Sequence, residues 1–90
     1  MLTKYDRKYY ELIKSGKRKE LYDNPNYKDA YYIRAEKAII NAKTPQEALE
    51  KIQQLMAGGA RRFPSDIESI RVMVEALEEE IEAYQNSLTI

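Results

Sequence analysis

From Ser65 to Leu88 the apolar residues Ile67, Ile70, Val74, Leu77, Ile81, Tyr84 and Leu88 recur at alternating spacings of three and four. That period returns to one face of an α-helix at each turn. It predicts a long C-terminal helix over 65–88, with its body at 66–88. Three shorter apolar groups precede it, and no run alternates with the period of two that a strand needs. The expected fold is all-α: a small helical bundle of about four helices, at about 4–15, 26–42, 45–57 and 66–88, in a single domain over 1–90.

Start and stop signals set those bounds. Thr3 followed by Asp6 reads as a helix start, and Leu2, Tyr5, Tyr9, Leu12 and Ile13 mark the face that follows, up to Ser15-Gly16. The chain from Lys17 to Tyr22 reads as a continuation past the glycine or as a separate turn. Asp23-Asn24-Pro25-Asn26 is a break, after which Asn24 with Pro25, or Asn26 with Asp29, starts the second helix. Tyr27, Tyr31, Ala35, Ala38, Ile39 and Ala42 form its main face, widened by Ile33 and Ile40. Thr44-Pro45-Gln46-Glu47 is the clearest start in the chain, and Ala48, Leu49, Ile52, Leu55 and Met56 lead from it to Gly58-Gly59. Ser65-Asp66-Ile67-Glu68 is a second capping box, opening the long helix.

At about 1.5 Å per residue the fourth helix is about 36 Å long and the third only about 20 Å. One short neighbour cannot cover it. With Ile67, Val74, Ile81 and Leu88 at heptad position a and Ile70, Leu77 and Tyr84 at d, the stripe suits a two-stranded homodimer. Met73, Ala76 and Ala83 widen the apolar face to one side, which suits a helix touching two neighbours within a bundle. Both arrangements hold together when the last two turns protrude.

Composition narrows the chemistry. Charged residues are 33% and apolar residues 43%, as in an ordinary folded chain, and cysteine and histidine are both absent. Disulfides, thiolate metal sites and Ser-His or Cys-His catalysis are thereby excluded. Met1 to Tyr10 carries charge from Lys4 onward and has no apolar targeting core, and no stretch is long enough to span a membrane. The expected location is cytoplasmic. Net charge is zero, yet residues 1–43 hold 11 Lys and Arg against 6 Asp and Glu, while 44–90 hold 4 against 9. The halves therefore carry +5 and −5, enough to attract different partners, a second copy or each other.

Glu47-Ala48-Leu49-Glu50 and Glu75-Ala76-Leu77-Glu78 are two ExxE pairs. They faintly resemble the magnesium-binding motifs of the all-α NTP pyrophosphohydrolases, whose second motif ends in Asp where this chain has Glu78. That resemblance implies a magnesium cage, which needs all four carboxylates to converge. Glu75 and Glu78 sit at b and e, off the apolar seam. The expectation is therefore a protein that is not an enzyme, with no catalytic residue, metal or cofactor.

What remains is contact chemistry. Arg61-Arg62-Phe63, held by Pro64 at a loop tip, together with Tyr84 and Leu88 at the helix end, are the candidate protein-binding residues, because arginines and aromatics dominate binding hot spots. An unknown protein partner, or a second copy in a homodimer, would sit there. The alternative is nucleic-acid or nucleotide binding by the basic, tyrosine-rich N-terminal half, through Lys14, Lys17, Arg18, Lys19, Tyr22 and Tyr32, since cations hold phosphates and flat rings stack on bases. Tyr5, Tyr9, Tyr27 and Tyr31 are expected in the core, and Tyr10, Tyr22 and Tyr32 at the surface. Glu68, Glu75, Glu78, Glu79 and Glu82 line one side of the long helix. That acidic ridge allows a third reading, a phage-type inhibitor occupying a nucleic-acid-handling enzyme. The lead expectation is a small non-catalytic interaction or regulatory module that self-associates through its long helix.

Overall fold

The structure, a computed structural model, describes residues 1–58 and 64–88, with the side chains of Pro64, Ser65 and Leu88 outside the described part. It is all-helical: α1 is Lys4–Lys14, α2 Tyr31–Asn41, α3 Pro45–Ala57 and α4 Pro64–Leu88, with a 3-10 turn at Lys19–Asp23. No strand occurs among the described residues. No described helix is long and apolar enough to cross a membrane.

Local chemistry accounts for three of the helix ends. The Thr3 hydroxyl accepts the Asp6 N–H at 3.1 Å while the Asp6 carboxylate accepts the Thr3 N–H at 3.0 Å. This closed box starts α1. Gly16, at φ +81°, supplies the left-handed residue that turns the chain out after Ser15. At α3, the Thr44 hydroxyl accepts the Glu47 N–H, and Glu47 reaches past the cap to the Lys43 N–H.

α2 begins later than its local signals suggest. Asn24 spends its side chain on an Asx turn, accepting the Asn26 N–H at 2.9 Å, and residues 25–30 pass in turns. Ala30 stands at the N-cap with no side-chain acceptor to offer. The acceptor comes instead from Asp66 in the first turn of α4, whose buried carboxylate takes the Tyr32 N–H at 3.0 Å. Asp66 thus caps a helix other than its own.

α4 packs on α1, α2 and α3 around a core of Ile13, Ala35, Ile39, Ala48, Ile52, Ile70, Met73, Ala76 and Leu77. Its buried line runs Asp66, Ile70, Met73, Leu77, flanked by Val72 and Ala76. The heptad a positions fall on the edge of this arc, with Ile67 38% exposed and Val74 and Ile81 half-buried. With α1, α2 and α3 all packed on it, α4 is the central helix of a bundle. The molecule measures 46 × 27 × 25 Å, and its long dimension follows from a 25-residue α4 among helices of 11 to 13 residues.

Two tyrosine expectations are corrected. Tyr10 and Tyr22 are buried and Tyr32 is half-buried, so they are not surface contacts. Tyr5 is 79% exposed because it lies in the first turn of α1, and Tyr27 is exposed because it precedes the late start of α2. Tyr9 and Tyr31 pack against the core as expected.

Candidate functional site

The deepest polar group is Glu36, 0% exposed, in the middle of the buried face of α2. Arg18 forks onto it, donating Nε to Oε1 at 2.7 Å and Nη2 to Oε2 at 3.0 Å. The Tyr9 hydroxyl donates at 2.6 Å and the Tyr22 hydroxyl at 3.3 Å. Burial, reinforced by the Glu36 charge, pushes both phenols well above their usual range, and the bonds to Glu36 hold the Arg18 proton more tightly. Four donors saturate the carboxylate, leaving it no capacity for a ligand. The cluster joins α1, the 3-10 turn and α2, and its role is to hold them together. Sequence reasoning passed over Glu36, although a charged residue flanked by Tyr32, Ile33, Ile39 and Ile40 at spacings of three and four is a legible anomaly.

Most candidates of the basic N-terminal surface have partners within the molecule. Arg18 and Tyr22 are consumed by Glu36, Tyr32 gives its N–H to Asp66, and Lys14 pairs with Glu80 beside the Tyr10 ring. Only Lys17 and Lys19 of the six candidates stand exposed without an ion pair among the described residues. The opposite charges of the two halves meet inside one molecule instead: Arg7 donates to both oxygens of Glu79 at 2.9 and 3.2 Å, and Lys14 to Glu80. Arg71 binds Glu68 and Glu75. The acidic ridge is thereby broken, leaving Glu78 and Glu82 exposed as its remnant.

The ExxE carboxylates do not converge. Glu47 takes the Lys43 N–H and faces Lys51, Glu75 faces Arg71, and among the described residues no three carboxylates gather as a metal site would.

Of the expected protein-contact residues, Arg61, Arg62, Phe63 and the Leu88 side chain lie outside the described residues. Tyr84 is 65% exposed. It lies seven residues beyond Leu77, which is 1% exposed, and so shares its side of the helix. What differs is the cover. Lys14, at the end of α1, reaches Glu80, and the start of α3 lies beside Ile81 and Tyr84. A groove of about 830 Å³ forms there, lined by Lys43, Thr44 and Pro45 on one side and Ile81, Ala83 and Tyr84 on the other.

A second groove, of about 730 Å³, runs between α2 and α3. Its lining mixes the basic Lys28, Arg34, Lys37 and Lys51 with Tyr31, Ala38 and Leu55, and Arg34 lies over the Tyr31 ring at 5.1 Å. None of its cations had been singled out, because they are scattered over two helices and a loop in the sequence. The chain matches no protein-family model, no curated protein and no solved structure.

Proposed function

We propose that the protein is a small non-catalytic interaction module that self-associates through the C-terminal turns of α4 around Tyr84. The observation that carries this reading is the exposure of Tyr84 on the same helix side as the fully packed Leu77. An apolar face continued past its cover loses the burial that its residues would otherwise gain, and a second molecule restores it.

Two features favour a second copy as the occupant. The groove rim carries one cation, Lys43, and one carboxylate, Glu80, which Lys14 already neutralises, so the rim of one copy does not repel that of another. The chain has zero net charge, so copies approach without net repulsion. Stable interfaces bury about 1,200 to 2,000 Å² in total, and two helical turns presenting Ile81 and Tyr84 offer less than that. The expected dimer therefore dissociates on dilution.

Light scattering on the eluting protein across a concentration series tests this. The wild type should approach twice the chain mass at high concentration, and Tyr84→Glu should remain monomeric with an unchanged helical circular dichroism signal. A wild-type chain that stays monomeric at every concentration removes the proposal.

A further inference from the structure

The groove between α2 and α3 brings Lys28, Arg34, Lys37 and Lys51 to one surface with the amides of Asn41 and Gln54, and no carboxylate among the described residues lines it. We propose that this groove binds the phosphate backbone of single-stranded nucleic acid, at a surface separate from the self-association site on α4.

Arginine pairing singles the groove out. Arg7, Arg18 and Arg71 are each held by one or two carboxylates, whereas Arg34 has no carboxylate within ion-pair distance among the described residues. The protein pairs its other described guanidinium groups internally and leaves this one at a groove. Lys28 and Lys37 likewise have no ion pair among the described residues, and Lys51 has a long one, 3.5 Å to Glu47.

The arrangement suits a chain of phosphates better than a single one. An isolated phosphate is best held where backbone N–H groups converge at a helix start. The start of α2 is already occupied by the Asp66 carboxylate. The cations are instead strung out: Arg34, Lys37 and Asn41 follow one face of α2 over about 10 Å, and Lys28 lies before the helix. A smaller adjoining cavity shares Lys37 and Asn41 and adds Lys19, with Asp23 as its one acidic residue. Such a track follows a backbone, and the exposed, planar Arg34 guanidinium is a group on which unpaired bases stack.

Binding of a fluorescent oligothymidylate by anisotropy, as a function of salt, tests the assignment. Four neutralised phosphates on a single strand give a slope of about −2.8 in log affinity against log salt, or about a 50-fold loss between 50 and 200 mM. Arg34→Ala with Lys37→Ala should lower the slope to about −1.4, and Lys28→Ala with Lys51→Ala should do the same from neighbouring elements. Lys4→Ala with Lys8→Ala removes equal charge from exposed sites on α1 and should leave the slope near the wild-type value. The proposal is overturned by absence of binding at low salt, by an equal loss in the α1 control, or by a polyglutamate of matched charge competing as well as unlabelled oligothymidylate. Each pair changes exposed side chains, and circular dichroism confirms that the fold persists.

Discussion

The carboxylate of Asp66 accepts the backbone N–H of Tyr32 at 3.0 Å, so the first turn of α4 caps the start of α2 from 34 residues away. The first N–H groups of a helix have no partner within it, and a carboxylate placed there also meets the positive end of the helix dipole. Asp66 is buried, so water does not readily replace it. Asp66→Ala is expected to lower stability by about 1 to 2 kcal/mol, the upper part of the range for lost caps. Asp66→Asn keeps the acceptor and should retain about half of that. Urea denaturation measures the difference, and faster amide exchange at Tyr32 and Ile33 locates it. An alanine variant as stable as wild type would show that the bond contributes nothing.

Glu36 and Arg18 form an asymmetric pair, because the Glu36 side chain is fully buried while the Arg18 side chain keeps 26% of its surface in solvent. The two halves of the pair should therefore not be equivalent on removal. Arg18→Ala strands a carboxylate with no countercharge, at a cost near the top of the about 3 to 5 kcal/mol typical of broken buried pairs. Glu36→Gln leaves a guanidinium that can turn toward water and an amide oxygen that still accepts from the tyrosines, so its cost should be smaller. Arg18→Met combined with Glu36→Gln should be less destabilising than Arg18→Ala alone. Chemical denaturation of the three variants checks the order, and equal losses for the two single variants would contradict the asymmetry.

The unequal legibility of the chain follows from where each determinant lies. Thr44, Pro45 and Gly58 bracket α3, and Ala48, Leu49 and Ile52 on its apolar face are buried, because everything that shapes that helix lies within it. The same holds for the Thr3 and Asp6 box. The start of α2 depends on Asp66, which no local window contains. Tyrosine burial follows rotation and neighbours more than spacing: Tyr10, one residue from Tyr9, is buried where α1 faces α4, while Tyr5 is 79% exposed. The basic half was legible as a charge excess, but the pairing of Arg7 with Glu79 and Lys14 with Glu80 required knowing that α1 lies along α4. The exposure of Tyr84 was legible because the length mismatch between helices can be read directly from the sequence.

Tyr9, Tyr10 and Tyr22 all have phenols pushed upward, first by burial and then by neighbouring carboxylates, Glu36 for Tyr9 and Tyr22 and Glu80 for Tyr10. In the unfolded chain these phenols titrate near 10. A folded value raised above the unfolded one means that the stabilisation is fully present below pH 10 and is lost as pH rises beyond it, because only the unfolded state then releases the protons. Stability should accordingly fall steeply above about pH 10. Tyrosinate absorbance from these three residues should grow only together with loss of the helical circular dichroism signal. Ionisation of all eight tyrosines ahead of unfolding would contradict the burial of this group.

The proposed self-association through α4 predicts a thermodynamic signature distinct from any structural role of the same residues. Binding that involves only folded chains stabilises them by mass action, so the melting temperature of a dimerising protein rises with its concentration. Wild-type protein should therefore melt higher at about 500 µM than at about 5 µM. Tyr84 is exposed within one molecule, so Tyr84→Ala should leave the dilute melting temperature unchanged and abolish its concentration dependence. Ile81 is half-buried against the core, and Ile81→Ala should lower the melting temperature at both concentrations as well as reduce the difference between them. The contrast separates contact between copies from packing within one. A Tyr84→Ala protein that keeps the wild-type concentration dependence would place the interface elsewhere.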